Sequence, residues 1–239
     1  MSTTASTTAP AEQAADVAKI RRAIDLLTVP GGVVEIRGLD VPARYGKPLT
    51  VAGYFTDLNK AAEAAATLDK RKAVGVYLVL NEINPALLAR SPNVLTDGLK
   101  ITTSDNDIIR RRWLPLDFDA VRPAGISSNE DEHAAAEDVG RQCAAWLSSQ
   151  GWLEPIQGDS GNGWHVLYRV DLPNDEATTV LIRGAIEAVA DRFSGAAVAV
   201  DRTVFNAARI WKLYGTTARK GHNMPDRPHR LAQLVEVPE

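Results

Sequence analysis

Cysteine occurs once in the 239 residues, at Cys143. A single cysteine excludes a disulfide within the chain and any cysteine-based zinc cluster, and it fits a reducing, cytoplasmic setting. Histidine is also scarce: His133, His165, His222 and His229 form no His-x-His pair. No apolar run approaches the roughly 20 residues that cross a bilayer, so no membrane partner is expected. Residues 1–10 have neither a basic start nor an apolar core, which excludes a signal peptide and suggests a flexible tail. A strong charge of either sign is missing too. The net charge is −3, with 45% hydrophobic and 24% charged residues, the composition of a folded soluble chain.

The chemistry that is present centres on Trp113-Leu114-Pro115-Leu116-Asp117-Phe118-Asp119. Side chains alternate along a strand, so Asp117 and Asp119 project from one face and Phe118 from the other, toward a core. Two carboxylates held so close repel unless a cation sits between them, and hard divalent ions such as Mg²⁺ or Mn²⁺ take oxygen ligands of this kind. The neutral charge balance hides a local basic cluster. Arg202, Arg209, Lys212, Arg219, Lys220, Arg227 and Arg230 face one acid, Asp226, within 202–230. Such a cluster suits phosphate groups or serves as a solvated face.

The surrounding pattern predicts α+β architecture. Helices are expected over 11–27 (Ala14, Val17, Ile20, Ile24 and Leu27 on one face), from Asp57 to Asp69, over 105–112, from a Ser127/Glu130 capping box to Ser149, and from Asn174 to Phe193. Strands are expected at 33–37, 49–55, 73–80, 113–119, 153–157, 164–170, 196–200, 208–214 and 230–237. After the tail at 1–10, residues 11–239 read as one domain with two lobes, about 11–100 and 101–239, facing one cleft.

Four pieces can meet in that cleft: the Asp117/Asp119 strand, the turn Ser160-Gly161-Asn162-Gly163 leading to His165, Asp201 after an apolar strand, and Arg209 with Lys212 ahead of Arg219-Lys220. Three carboxylates can hold two divalent ions. Backbone N–H groups of residues 160–163 could cradle phosphate oxygens, His165 could donate to one, and Arg209 or Lys212 could pair their charge. In a regular strand, 209 and 212 face opposite sides, so at most one is expected to point inward. Each piece also has a purely structural reading: a hairpin turn, a packed histidine, a strand-end salt bridge at Asp201, and a basic edge that discourages aggregation.

The order of these motifs resembles the archaeo-eukaryotic primase superfamily, in particular the primase-polymerase domains of phages and plasmids. The resemblance rests on Leu116-Asp117-Phe118-Asp119, on Ser160-Gly161-Asn162-Gly163-Trp164-His165, on Val198-Ala199-Val200-Asp201 and on Arg209-Ile210-Trp211-Lys212-Leu213-Tyr214-Gly215-Thr216 with Arg219-Lys220-Gly221. It implies an N-terminal αβ lobe and an RRM-like C-terminal lobe with the site in the cleft between them. It also implies a nucleotidyltransferase that makes and extends primers on single-stranded DNA from NTPs or dNTPs. Asp117, Asp119 and Asp201 would hold two Mg²⁺ or Mn²⁺ ions. Ser160, Gly161, Gly163, His165, Arg209 and Lys212 would contact the nucleotide. Arg219, Lys220 and Trp211 are candidates for DNA contact. A zinc-binding stem is not possible here, and a helicase domain or protein outside this chain is the expected partner. The alternatives are a non-catalytic single-stranded DNA or origin-binding initiator module, with Trp164 or Trp211 stacking bases, and an end-joining repair polymerase of the same superfamily. A nicking initiator is disfavoured by the absent histidine pair. Tyr54 and Asn81 are candidates for discriminating the sugar.

Overall fold

The computed structural model describes residues 10–238, so the expected tail lies almost wholly outside the described residues. Helix α1 spans Val17–Leu27. Asp16 caps it by accepting from the backbone N–H of Ala18 and Lys19, which sets the start later than position 11. Ile20, Ala23, Ile24 and Leu27 are buried, whereas Val17 is exposed. Strands β1 (Val34–Val41) and β2 (Leu49–Phe55) form a hairpin, and Asp57 caps α2 (Leu58–Lys70) as the sequence predicts. The apolar run at 73–80 becomes β3 (Gly75–Val79), flanked on both sides in its sheet.

Two short strands follow, β4 (Glu82–Ile83) and β5 (Thr96–Asp97). The helix expected over 105–112 is instead one 3₁₀ turn, after which β6 runs from Ile108 to Ala120. The three arginines explain the difference. Arg110 and Arg112 reach Asp171 on a neighbouring strand, while buried Arg111 points the other way to Thr179 and the Phe205 carbonyl. That two-residue alternation satisfies each guanidinium only in an extended chain. Helix α3 (Glu130–Ser149) is capped by Asn129 and Glu132 rather than Ser127 and Glu130, because Ser127 Oγ donates instead to the Lys220 carbonyl. Strands β7 (Ile156–Asp159) and β8 (Gly163–Pro173) form the second hairpin, and Asp175 rather than Asn174 caps α4 (Glu176–Phe193). The chain closes with β9 (Val198–Val200), β10 (Ile210–Lys212), β11 (Thr217–Ala218), β12 (Arg230–Leu231) and β13 (Gln233–Glu236).

These strands make two larger antiparallel sheets and one small one. The first has the order β10-β3-β1-β2-β5, and the second β13-β7-β8-β6-β4 with β9 paired to β6; β11 and β12 stand apart. Within the second, β6-α3-β7-β8-α4-β9 is a β-α-β-β-α-β unit. Its Phe118 and Trp164 face the helices, and Gly140 of α3 is the residue that admits Trp164, since a Cβ there would lie 2.3 Å from the ring. A division of the chain near residue 100 does not match the sheets. β4 joins the second sheet and β10 joins the first, so each sheet uses both halves of the sequence.

A buried ion pair ties this arrangement together. Arg219 lies against Asp69 of α2 through two bonds of 3.0 and 3.1 Å, and it also reaches Glu12 and the Ala73 carbonyl. Removing one member of such a pair leaves an uncompensated buried charge, which costs about 3–5 kcal/mol. Arg219→Ala is therefore expected to lower stability to urea by that amount. A loss under about 1 kcal/mol would mean the pair is effectively solvated.

Candidate active site

Strand register builds the acidic row. Asp117 lies directly opposite His165 on β8, and Gly158 of β7 lies opposite His165 in turn. On the other side of β6, Phe118 pairs with Val200, and the Asp201 N–H donates to the Asp117 carbonyl at 2.9 Å. Directly opposed residues share a face, so His165, Asp117 and Asp201 form one row across three strands. Asp119 follows two positions on, opposite Gly163 and Ala199. The alternation expected from the sequence holds: Phe118 is fully buried, while the Asp117 and Asp119 side chains are 23% and 41% exposed.

Charge crowding marks Asp117. Burial, then the like charges of Asp119 and Asp201, push its carboxyl well above the usual carboxylate range, while Lys220 and Arg209 pull the other way. Asp119 has closer partners. Arg122 lies 3.3 Å from its Oδ1, and Lys220 lies 3.9 Å from its Oδ2. Asp201 does not pair with Arg202, which binds Asp191; its carboxylate accepts from the backbone N–H and hydroxyl of Thr203.

His165 is buried between two aromatic side chains. Its ring centre lies 4.0 Å from that of Trp211, and its Nδ1 lies 2.9 Å from the Tyr214 hydroxyl. Trp211 Nε1, which can only donate, points to the same hydroxyl at 3.3 Å. This order assigns the tyrosine proton to Nδ1 and leaves the imidazole proton on Nε2, which faces Asp117 Oδ1 at 3.6 Å. Burial and then nearby Lys212 lower the histidine pKa to about 3, so the ring is neutral at neutral pH.

The turn at 160–163 does not form a backbone cradle. The N–H of Ser160 donates to Gly163, that of Gly161 to Asp159, and those of Asn162 and Gly163 to Ser160 Oγ. All four donors are used within the turn. The Ser160 hydroxyl, however, keeps its own proton free and lines the cavity. The glycines serve close packing. A Cβ at Gly161 would lie 2.8 Å from Ala218, and one at Gly163 2.2 Å from the Phe118 carbonyl and 3.0 Å from Asp119. His133 steadies the turn from α3 through Asp159 at 2.9 Å, and Asn162 accepts from the N–H of Ser128.

A cavity of about 300 Å³ lies between the two large sheets. Asp117, Asp119 and His165 form one wall. Leu39, Tyr77 and the β10 region form the other. Arg209 and Lys212 both reach it, contrary to the expectation that only one would, because Arg209 precedes the strand. Lys212 is buried, donates to Thr216 and the Thr217 carbonyl, and has its pKa lowered to about 7, chiefly by desolvation. Arg209 binds the Thr203 carbonyl.

The basic cluster is otherwise neutralised from within. Arg202, Arg219, Arg227 and Arg230 pair with Asp191, Asp69, Glu132 and Glu130. Arg219 and Trp211 both line the cavity, Arg219 held by Asp69 and Trp211 packed on His165, whereas Trp164 is buried away from it. Lys220, 47% exposed, stays available. Tyr54 is buried against Thr103 and Arg90, and Asn81 binds Ala207 and Arg112, so neither faces the cavity. Tyr214 and Arg122 have no role assigned to them from the sequence. Tyr214 lies three positions after Trp211 and Arg122 three after Asp119, but only the folded packing gives those spacings a meaning.

The donor set suits a hard divalent ion, since crowded carboxylates with a raised Asp117 pKa are relieved by a cation. Asp117 and Asp119 could hold one directly, and Asp201 after turning from Thr203. As the side chains stand, no three His, Cys, Asp or Glu groups among the described residues meet at metal-ligand spacing.

No family model and no curated protein matches the chain. Among solved structures it is similar to primase RepB′, at 12% identity and a TM-score of 0.48 over 92% of this chain and 56% of that one. The chain thus spans little more than half that protein's length. It is also similar to the polymerase domain of Mycobacterium tuberculosis ligase D in complex with DNA, at 14% identity and a TM-score of 0.47 over 90% and 79%. Neither likeness bears on the chemistry, which the side chains themselves decide.

The crowding at Asp117 has a stability consequence with a definite sign. Its folded-state pKa is raised, so the folded protein binds the proton more tightly than the unfolded chain, and stability falls as pH rises from 3.8 through the folded value. Asp117→Asn removes the penalty. The variant should melt above the unmutated protein at pH 7 without divalent ions, by about 2–4 °C for each kcal/mol relieved. The gap should close below about pH 3.8. A variant that melts lower at pH 7 would show that the carboxylate is stabilising.

Proposed function

We propose that the chain is a template-directed nucleotidyltransferase of the primase-polymerase type, making and extending primers on single-stranded DNA. One observation carries the reading: Asp117 and Asp119, fixed by strand register, share one cavity with Arg209, Lys212 and Lys220. A site of that polarity suits a metal-bound triphosphate. In this reading the β-α-β-β-α-β unit would serve as the RRM-like lobe, and the first sheet as the αβ lobe.

Asp117, Asp119 and Asp201 hold Mg²⁺ or Mn²⁺ in this reading. When bound, such ions lower the pKa of an attacking hydroxyl and offset the charge of the leaving pyrophosphate. The chain's own groups bind and orient. His165, neutral and fixed as the Nε2–H tautomer, donates a hydrogen bond to a phosphate oxygen without adding charge. The free Ser160 proton donates to another. Lys212, with a pKa of about 7, is only partly charged in the free protein, and an anion against it draws it fully into the ammonium form. Arg209 and Lys220 neutralise the remaining phosphate charge. The attacking oxygen is the 3′-hydroxyl of a primer, or that of the first nucleotide when a primer is begun.

The initiator-module alternative loses support, because both tryptophans proposed as stacking platforms are buried. The test is extension of a labelled primer on a DNA template with Mg²⁺ or Mn²⁺. The unmutated protein should add nucleotides. Asp117→Asn and Asp119→Asn should each lower kcat at least a hundredfold and keep the thermal melt of a folded chain. Extension by either variant within threefold of the unmutated rate would overturn the site.

A further inference from the structure

Four arginines of the 202–230 cluster are paired to acids within the fold, which leaves few of its cations for a strand. The β1–β2 connection supplies an alternative. Val41-Pro42-Ala43-Arg44-Tyr45-Gly46-Lys47-Pro48 contains two cations, one aromatic and no acid. Tyr45 is 82% exposed, the most exposed large aromatic among the described residues. The Arg44 guanidinium lies 5.5 Å from its ring centre, and neither Arg44 nor Lys47 has an acidic partner among the described residues. Two prolines and Gly46, at φ +87°, fix the shape of the tip.

The position of the loop matters as much as its composition. A bulge at Leu39 and Asp40 shifts the β1–β2 register, and the hairpin leaves the sheet just beyond, after Val41 pairs with Leu49. A shift of this kind bends a strand and re-aims the residues beyond it. Leu39 itself lines the cavity that holds Asp117 and Asp119. Tyr45 comes six residues later, a reach of at most ~20 Å. The tip is therefore joined by a short tether to a wall of the cavity that holds the carboxylates.

We propose that Arg44, Tyr45 and Lys47 form a grip for single-stranded nucleic acid at the mouth of the cleft, with an unpaired base on the Tyr45 ring and phosphates on the two cations. The inference rests on the nucleotidyltransferase reading and adds to it the surface that holds the strand. Aromatic stacking on a base is sequence-tolerant, and cations beside it follow the backbone. The grip prefers unpaired strands of any sequence.

The test uses the full chain and fluorescein-labelled oligothymidylate, with binding read by anisotropy over a salt series and without divalent ions. Tyr45→Ala should weaken binding roughly tenfold and Tyr45→Phe should retain it. Arg44→Ser with Lys47→Ser should reduce the slope of log K against log salt by about 1.4, the contribution of two phosphate contacts on a single strand. Blunt duplex DNA should be insensitive to Tyr45→Ala. Unchanged affinity and slope in the variants, no binding by the unmutated protein, or an equal loss on duplex and single strand would each overturn the inference. Primer extension with tip-independent binding would sink the grip and leave the transferase standing. Tip-dependent binding by a protein that extends no primer would do the reverse.

Discussion

The register of β6 between β8 and β9 is the constraint on which the site depends. Strand hydrogen bonds place His165 and Asp201 on either side of Asp117 and put Gly163 beside Asp119. A slip of one residue would turn the carboxylates into the helix-packed core and Phe118 into the cleft. The core prevents this. Phe118, Leu116 and Trp164 fill the opposite face under α3 and α4, so burial on one face fixes the chemistry on the other. Gly163 contributes by being small, since any side chain there would meet the β6 backbone.

The price of that placement is electrostatic. Three carboxylates share a small region, and Asp117 is the one the fold holds at a disadvantage. Arg122, Lys220 and Arg209 relieve the strain only in part. Within the row, His165 is held by Trp211 and Tyr214 through aromatic contacts and hydrogen bonds that fix one ring orientation and one tautomer. The opposite wall comes from the first sheet through β10, a strand contributed from late in the chain. The two sheets are thereby held at a common cleft, with the Arg219–Asp69 pair joining the segment after β10 to α2.

Much of this was legible in the sequence where local pattern decides. The alternation in Leu116-Asp117-Phe118-Asp119 gave the faces, the Asp57 cap gave α2, and the apolar run at 73–80 gave a central strand. The reading failed where a distant partner decides. Arg110-Arg111-Arg112 resembles the basic end of a helix until Asp171, Glu82 and Thr179 are brought beside it. The basic run at 202–230 looks like a nucleic-acid surface until its acids arrive from positions 69, 130, 132 and 191. The turn at 160–163 looks like a phosphate cradle because glycine permits close approach, but the groups that approach are Ala218, Arg230 and Phe118. Tyr214 could not be found from spacing, because its role exists only against a histidine 49 positions earlier.

In the proposed function, the register-fixed carboxylates form a divalent-metal site. A crystal of the protein soaked in Mn²⁺, with the anomalous scattering of manganese mapped, tests it most directly. A peak is expected against the carboxylates of Asp117 and Asp119, with the Asp201 side chain turned away from Thr203 toward it. Manganese bound elsewhere with no peak at this row, or Asp117 and Asp119 unchanged beside an empty map at millimolar Mn²⁺, would contradict it.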